Sequence, residues 1–268
     1  MLEEGDLLIM RHGESEGNAA NRLSEKGNEN ALTSLYEDRH SYHLRLSQKG
    51  CTQAVTAGKW LEVNGVVLDN FVVSEYTRAK ETAVLADVSG AEWTVNRHLV
   101  ERDWGELEGV PGPERERSFM KQLRAYKREP FYWRPWGGET IAEVCERVNM
   151  FLIELAISKP NAKTLVVCHG EVMWAFRIVL ENLSVRQFKE LHFSKRDLDQ
   201  MWNCQMLHYT RHDPTGLTNR ERGLWRRIIR PTTEPALVTG WEEVLPVAYT
   251  NEQLRTEVER HPRHFINQ

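Results

Sequence analysis

Leu7-Leu8-Ile9-Met10-Arg11-His12-Gly13-Glu14-Ser15 decides how this chain is read. Four apolar residues run together and stop at a cation, an imidazole and a glycine. An unbroken apolar run between polar residues predicts a strand buried on both faces, as in a parallel sheet. Phe71-Val72-Val73 and Thr164-Leu165-Val166-Val167-Cys168 repeat the pattern, the latter rich in β-branched residues. Between the runs lie helical spacings. Gln48–Val63 sets Ala54, Ala57, Trp60 and Leu61 three and four residues apart, and Thr77–Val88 does the same with Ala79, Ala83 and Ala86. Thr140 and Glu143 form a T-x-x-E capping box ahead of Ile141, Val144, Val148, Phe151, Leu152 and Leu155, which share one helix face. A further helix, Val172–Leu180, follows the third run. Strands alternating with helices predict a three-layer α/β/α fold with a mainly parallel central sheet.

The outer segments are less regular. Glu16–His43 is polar, without a clear period, and reads as a long loop with one short helix at most. Asn203–Tyr209 and Leu224–Ile229 read as late strands, paired across the turn-rich Asp213-Pro214-Thr215-Gly216. The expected division is a domain over residues 1–212 and a C-terminal extension over 213–268, packed on it.

Composition narrows the function classes. The 268 residues are 40% hydrophobic and 28% charged, as expected of an ordinary globular protein. With 35 Lys and Arg against 39 Asp and Glu, the net charge of −4 gives no reason to expect nucleic acid or a membrane as partner. Cys51, Cys145, Cys168 and Cys204 are scattered without a C-x-x-C pair, so reduced thiols are expected rather than a disulfide framework or a zinc site. The N-terminus is acidic and its apolar run is too short for a signal or a span. A cytoplasmic protein is the expectation.

The chemistry gathers where strands end. In an open α/β sheet the C-terminal strand ends form the ligand crevice. The first run delivers Arg11, whose planar fork suits phosphate oxygens, and His12, able to serve as nucleophile, base or ligand. Gly13 permits a sharp turn and close approach. The second run leads to Ser74-Glu75-Tyr76-Thr77-Arg78, with Arg78 in the first turn of a helix. The third ends in Cys168-His169-Gly170, a second His-Gly at the same sheet edge. A nucleophile and a cationic partner on one phosphate fit this pair. Expulsion of an alkoxide from phosphorus requires a proton, and the acidic stretch Glu101–Glu108 offers Glu101, Asp103, Glu106 and Glu108 as donors. Spacing alone does not choose among the four.

Six ordered segments resemble the histidine phosphatase superfamily, the phosphoglycerate-mutase-like clan. They are Arg11-His12-Gly13-Glu14-Ser15 through Asn18, Leu46 through Ala54, Ser74 through Ala79, Glu101 through Gly105, Gly138-Glu139-Thr140, and His169-Gly170. The likeness spans about Leu7 to Tyr209. It implies a phosphoglycerate-mutase-like fold and a phosphomonoester hydrolase working through phosphohistidine on His12. Glu101 would be the general acid and then the base that activates water. Arg11, Arg78 and a protonated His169 would hold the phosphoryl oxygens, Asn18 would add a contact, and Gly13 and Gly170 would shape the phosphate site. No metal and no cofactor is implied. The partner is a small phosphorylated substrate, with a homodimer left open.

Departures bear on the substrate. The family's mutases carry a basic, proline-rich insertion after the general-acid segment, where this chain has Glu114–Trp136 with mixed charges. That favours a phosphatase over a mutase, and predicts a solvated helix face there in preference to a lid that grips anions. The competing readings are a phosphoglycerate mutase, a pseudoenzyme that binds phosphorylated ligands without turnover, and a metal hydrolase using His12 and His169. Intact His12, Arg78, Glu101 and His169 argue against the pseudoenzyme, and the lack of carboxylate-ligand spacing argues against the metal site.

Overall fold

Residues 5–28, 30–37, 39–214, 216, 223–245 and 247–263 are described by a computed structural model of the chain. The strands are β1 (Leu7–Arg11), β2 (Asn70–Ser74), β3 (Trp93–Asn96), β4 (Thr164–Cys168), β5 (Met206–Thr210), β6 (Trp225–Arg230), β7 (Leu237–Val238) and β8 (Glu242–Glu243). The helices are α1 (Glu16–Glu25), α2 (Asn30–Glu37), α3 (Gln48–Val63), α4 (Thr77–Ala86), α5 (Gly112–Ser118), α6 (Met120–Arg128), α7 (Ile141–Ser158), α8 (Gly170–Glu181), α9 (Val185–His192) and α10 (Asn251–Glu259).

The sheet runs in the order β3-β2-β4-β1-β5-β6-β7, with β8 also on β6. The first four strands are mutually parallel, and β5 and β6 add an antiparallel half. Successive residues of a strand point to opposite faces, so β1 divides its apolar run between two cores. Leu7 and Ile9 join Val166, Cys168 and the inner faces of α7 and α8. Leu8 and Met10 join Val73, Val167 and the alanines of α3 and α4. The chain therefore has the expected α/β architecture of three layers, with parallel strands at its centre.

The long helix α7 begins as its sequence dictates. Thr140 Oγ1 accepts the Glu143 N–H at 3.1 Å, and Glu143 Oε2 accepts the Thr140 N–H at 2.8 Å. The polar segment 16–43 departs from the loop expectation and forms α1, α2 and a 3-10 turn at Ser41–His43. Caps, not an apolar stripe, start α1. Ser15 Oγ accepts the Asn18 N–H at 3.1 Å, and Asn18 Oδ1 accepts the Ser15 N–H at 3.2 Å. Such reciprocal caps stabilise a helix start by roughly 1 kcal/mol.

The described part of 213–268 supplies β6, β7 and β8 to the sheet, and α10 reaches α9 through an Arg186–Glu257 ion pair. Part of the Asp213–Gly216 turn, Thr215, lies outside the described residues. All four cysteines are free thiols. No helix among the described residues is long and apolar enough to cross a membrane.

Candidate active site

Register brings the two His-Gly segments together. Arg11 lies opposite Cys168 in the parallel β1–β4 ladder, so His12 and His169 leave the sheet side by side. Their ring centroids are 5.1 Å apart at an interplanar angle of 61°. Arg78, from the first turn of α4, completes the group by donating from Nε to His12 Nε2 at 3.2 Å. The three side chains are nearly enclosed, at 2%, 0% and 6% exposure for His12, His169 and Arg78.

Hydrogen bonds fix the His12 tautomer. Nδ1 donates to the Gly13 carbonyl at 2.6 Å, which leaves the Nε2 lone pair directed into the cavity. Burial, then Arg78 and Arg11, hold the ring well below the ordinary histidine value. A neutral imidazole with an unprotonated Nε2, here accepting from Arg78, can serve as a nucleophile. Gly13 has no room for a side chain, since a Cβ there would lie 2.5 Å from the Gly50 carbonyl oxygen. Its N–H donates to Thr82 Oγ1 at 3.0 Å, which ties the turn to α4.

The His169 ring is fixed from behind. Ser74 Oγ accepts the Tyr76 N–H at 3.4 Å and stands 2.7 Å from His169 Nε2. A hydroxyl that donates to Nε2 leaves the neutral ring with its proton on Nδ1. That Nδ1, like Arg11 Nε, is buried without a partner among the described residues. Burial and then Arg78 keep His169 also well below the ordinary histidine value. Both effects favour the neutral ring in the empty site.

Arg11 is anchored by donation from Nη1 to the Met201 carbonyl, and Arg78 by donation from Nη1 to the Ser41 carbonyl at 2.7 Å. Asn18 lines the cavity with its Oδ1 engaged in the α1 cap, so only its amide N–H groups remain to face a ligand. Asn203 donates to the His12 carbonyl at 3.0 Å and to Asn18 Oδ1 at 3.4 Å, bracing the two ends of the first motif. Gly170 opens α8, where an added Cβ would meet Arg11 no closer than 3.6 Å.

Of the four acidic candidates, Glu101 and Glu108 line the cavity, whereas Asp103 and Glu106 are exposed. Burial raises the Glu101 carboxyl, Glu171 adds to the rise, and Arg78 opposes it. A carboxyl shifted upward in a cavity it shares with a nucleophile is suited to general acid catalysis.

The cavity is about 430 Å³, in the range of small-molecule sites. Much of its wall comes from segments without a motif. The 16–43 segment contributes Leu32 and Tyr36, whose hydroxyl is pushed up to about 12 by burial. From 114–136, Arg115 turns inward while Lys121, Arg124, Lys127 and Arg128 stay exposed. The solvated-face expectation therefore describes those four residues but not Arg115. Trp133 is buried against the Arg102 guanidinium at 5.5 Å, and Tyr132 and Trp136 are exposed. Ser74, Ser41, Met201, Asn203, Arg115 and His192 were not singled out by sequence reasoning. Only Ser74 stood within a recognised motif.

Comparison with known proteins agrees with this arrangement. The family model described as the histidine phosphatase superfamily (branch 1) matches residues 7–202. The 2,3-bisphosphoglycerate-dependent phosphoglycerate mutase of Bradyrhizobium diazoefficiens is 30% identical over 189 residues, covering 68% of this chain and 84% of the relative. The native structure of mycobacterial glucosyl-3-phosphoglycerate phosphatase superposes with a TM-score of 0.60 at 25% identity, over 78% of this chain and 91% of its own. A structure titled mycobacterial hydrolase 2 matches the fold over 97% of this chain and 99% of its own, with a TM-score of 0.61 at 21% identity. With its two strand-end histidines in register and the family model spanning most of its length, the chain belongs to the histidine phosphatase superfamily, branch 1.

Proposed function

We propose that this chain is a phosphomonoester hydrolase that carries the phosphoryl group on His12. The observation that carries the reading is the His12 tautomer: with Nδ1 committed to the Gly13 carbonyl, a neutral Nε2 faces a buried, cationic cavity. Nε2 attacks phosphorus as the ester bond breaks, and the protonated Glu101 gives its proton to the departing alkoxide. The Glu101 carboxylate then takes a proton from water, which attacks the phosphohistidine and releases inorganic phosphate. Arg11, Arg78 and the Nδ1–H of His169 stabilise the charge on the equatorial oxygens, and an Asn18 N–H adds a contact. Gly13 and Gly170 leave space for the phosphoryl group. A dianion bound there would also favour protonation of His169, strengthening its hold.

Hydrolysis of an aryl phosphate in excess EDTA, with wild type beside His12→Ala, tests the reading. Wild type is expected to turn over and to trap an acid-labile phosphoryl group, and the variant to do neither. Phosphoryl trapping that persists in His12→Ala would overturn it. The mutase relative supports a second reading, phosphoryl transfer between positions of a sugar acid. It requires that phosphohistidine react faster with phosphoglycerate than with water.

A further inference from the structure

Beyond the phosphoryl group the same cavity has a second set of polar atoms without hydrogen bonds, one of which, Glu171 Oε2, is ion-paired with Arg102 Nη1 at 3.6 Å. Arg115 Nε, His192 Nδ1 and Glu171 Oε2 are buried without hydrogen-bond partners among the described residues, and all three residues line the cavity. None belongs to the group that surrounds His12 Nε2. Each is held in place from outside. Arg115 donates from Nη2 to the Leu107 carbonyl at 2.9 Å. His192 Nε2 lies 2.5 Å from the Tyr126 hydroxyl, and burial holds its ring below the ordinary histidine value, so it is neutral. Glu171 stands 3.6 Å from the buried Arg102. Trp104 and Trp174 also line the cavity, with Arg102 over the Trp104 ring at 4.7 Å and Arg177 over the Trp174 ring at 5.0 Å.

The charges here are balanced. Arg102 faces Glu171, and Arg115 interacts with Glu108. Near His12, by contrast, stand two cations, the half-buried Arg11 and the buried Arg78. One phosphate dianion matches that pair, while a second anion would meet a balanced field and two carboxylates. An aryl leaving group would pack on the tryptophans but leave donors and an acceptor unpaired. A hydroxyl both donates and accepts, so a hydroxyl-rich group satisfies the whole set.

We propose that this cavity selects monophosphates whose leaving group is uncharged and rich in hydroxyls, the sugar monophosphates, over phosphorylated acids and bisphosphates. Hydroxyls donate to Glu171, accept from Arg115 and meet His192 Nδ1 as donor or acceptor according to its tautomer, and an apolar ring face lies beside Trp104 or Trp174. The assignment rests on the phosphatase reading for the place of the phosphoryl group, but its test does not require turnover.

Calorimetry on His12→Ala at fixed ionic strength compares glucose 6-phosphate, ribose 5-phosphate, 3-phosphoglycerate and inorganic phosphate. The better sugar phosphate is expected to bind at least tenfold more tightly than either inorganic phosphate or 3-phosphoglycerate. A sugar phosphate no tighter than inorganic phosphate would overturn the proposal, as would 3-phosphoglycerate binding equally well. Adding Glu171→Gln removes an acceptor and a negative charge, and should narrow the sugar-to-acid ratio at least fivefold. An unchanged ratio in a variant that still binds phosphate overturns the role of Glu171. Failure of the aryl phosphate assay with the sugar preference intact would refute the hydrolase alone, and the reverse result would refute the leaving-group assignment alone.

Discussion

Replacing Ser74 by Ala isolates one second-layer contact, the hydroxyl 2.7 Å from His169 Nε2. A hydroxyl that accepts from Tyr76 and donates to the ring would leave the proton on Nδ1. Without it, Nε2 is a buried acceptor with no donor, and the ring gains by moving its proton there, which turns the donor aimed at phosphate into an acceptor. Loss of the hydrogen bond alone, about 1 kcal/mol, corresponds to about fivefold in rate. Complete loss of one donor to the transition state corresponds to about 10²–10³-fold. Because substrate binding recovers part of the correct tautomer, kcat for an aryl phosphate should fall about 10- to 100-fold, with a smaller change in KM. Nitrogen-15 spectra of the ring report the tautomer directly and should show the Nδ1–H form in wild type and its depletion in the variant. A kcat within twofold of wild type would refute the reasoning. So would a wild-type His169 protonated on Nε2.

Glu101→Gln should slow esters with poor leaving groups far more than aryl phosphates, and equal slowing across a leaving-group series would remove the acid role. Gly13→Ala forces a Cβ to within 2.5 Å of the Gly50 carbonyl oxygen, so stability by urea unfolding should fall about 1–3 kcal/mol, and an unchanged midpoint would mean the turn has room. Burial holds His12 and His169 neutral in the fold, with folded pKa values below the unfolded one, so the unfolded chain gains protons that the folded chain refuses as pH drops through about 6.5. Each ring then costs about 1.4 kcal/mol per pH unit. His12→Phe should therefore lose stability less steeply than wild type between about pH 6.5 and 5, and parallel slopes would contradict a neutral buried His12.

The parallel strands and their role were legible because Leu7–Met10 and Thr164–Cys168 are apolar without interruption, which fits a strand covered on both faces. The register was not legible. Nothing in either run says that Arg11 lies opposite Cys168, and one residue of slip would turn His12 into a different layer. The short strand Trp93–Asn96 escaped because it is a four-residue edge strand, half exposed, with no run to detect. Helix α1 escaped because only Ala20 and Ser24 are buried along it, and a helix sustained by its caps carries little periodicity. In 114–136 the composition could separate neither Arg115 from Lys121 nor Trp133 from Trp136. Which of those chemically similar residues turns inward depends on the position of Trp104 and Leu107, a tertiary relation.

The physical character of the site follows from its unpaired groups. The half-buried Arg11 and the buried Arg78 stand beside two histidines, and desolvation lowers the hold of all four on protons. A carboxylate placed among them would satisfy the arginines but occupy the phosphate position permanently. The fold instead satisfies each arginine only in part, with the Met201 and Ser41 carbonyls, which neutralise nothing. Glu101 stands near enough to matter electrostatically, yet burial raises it towards the protonated form. The empty cavity is thus a concentration of uncompensated positive charge held by rigid strand ends. A dianion entering it meets donors already oriented, with little reorganisation left to oppose the transition state. Under the proposed mechanism the two rings take different roles, although both follow a buried strand and precede a glycine. The Gly13 carbonyl accepts a hydrogen bond from the His12 Nδ1–H, whereas the Ser74 hydroxyl stands against His169 Nε2.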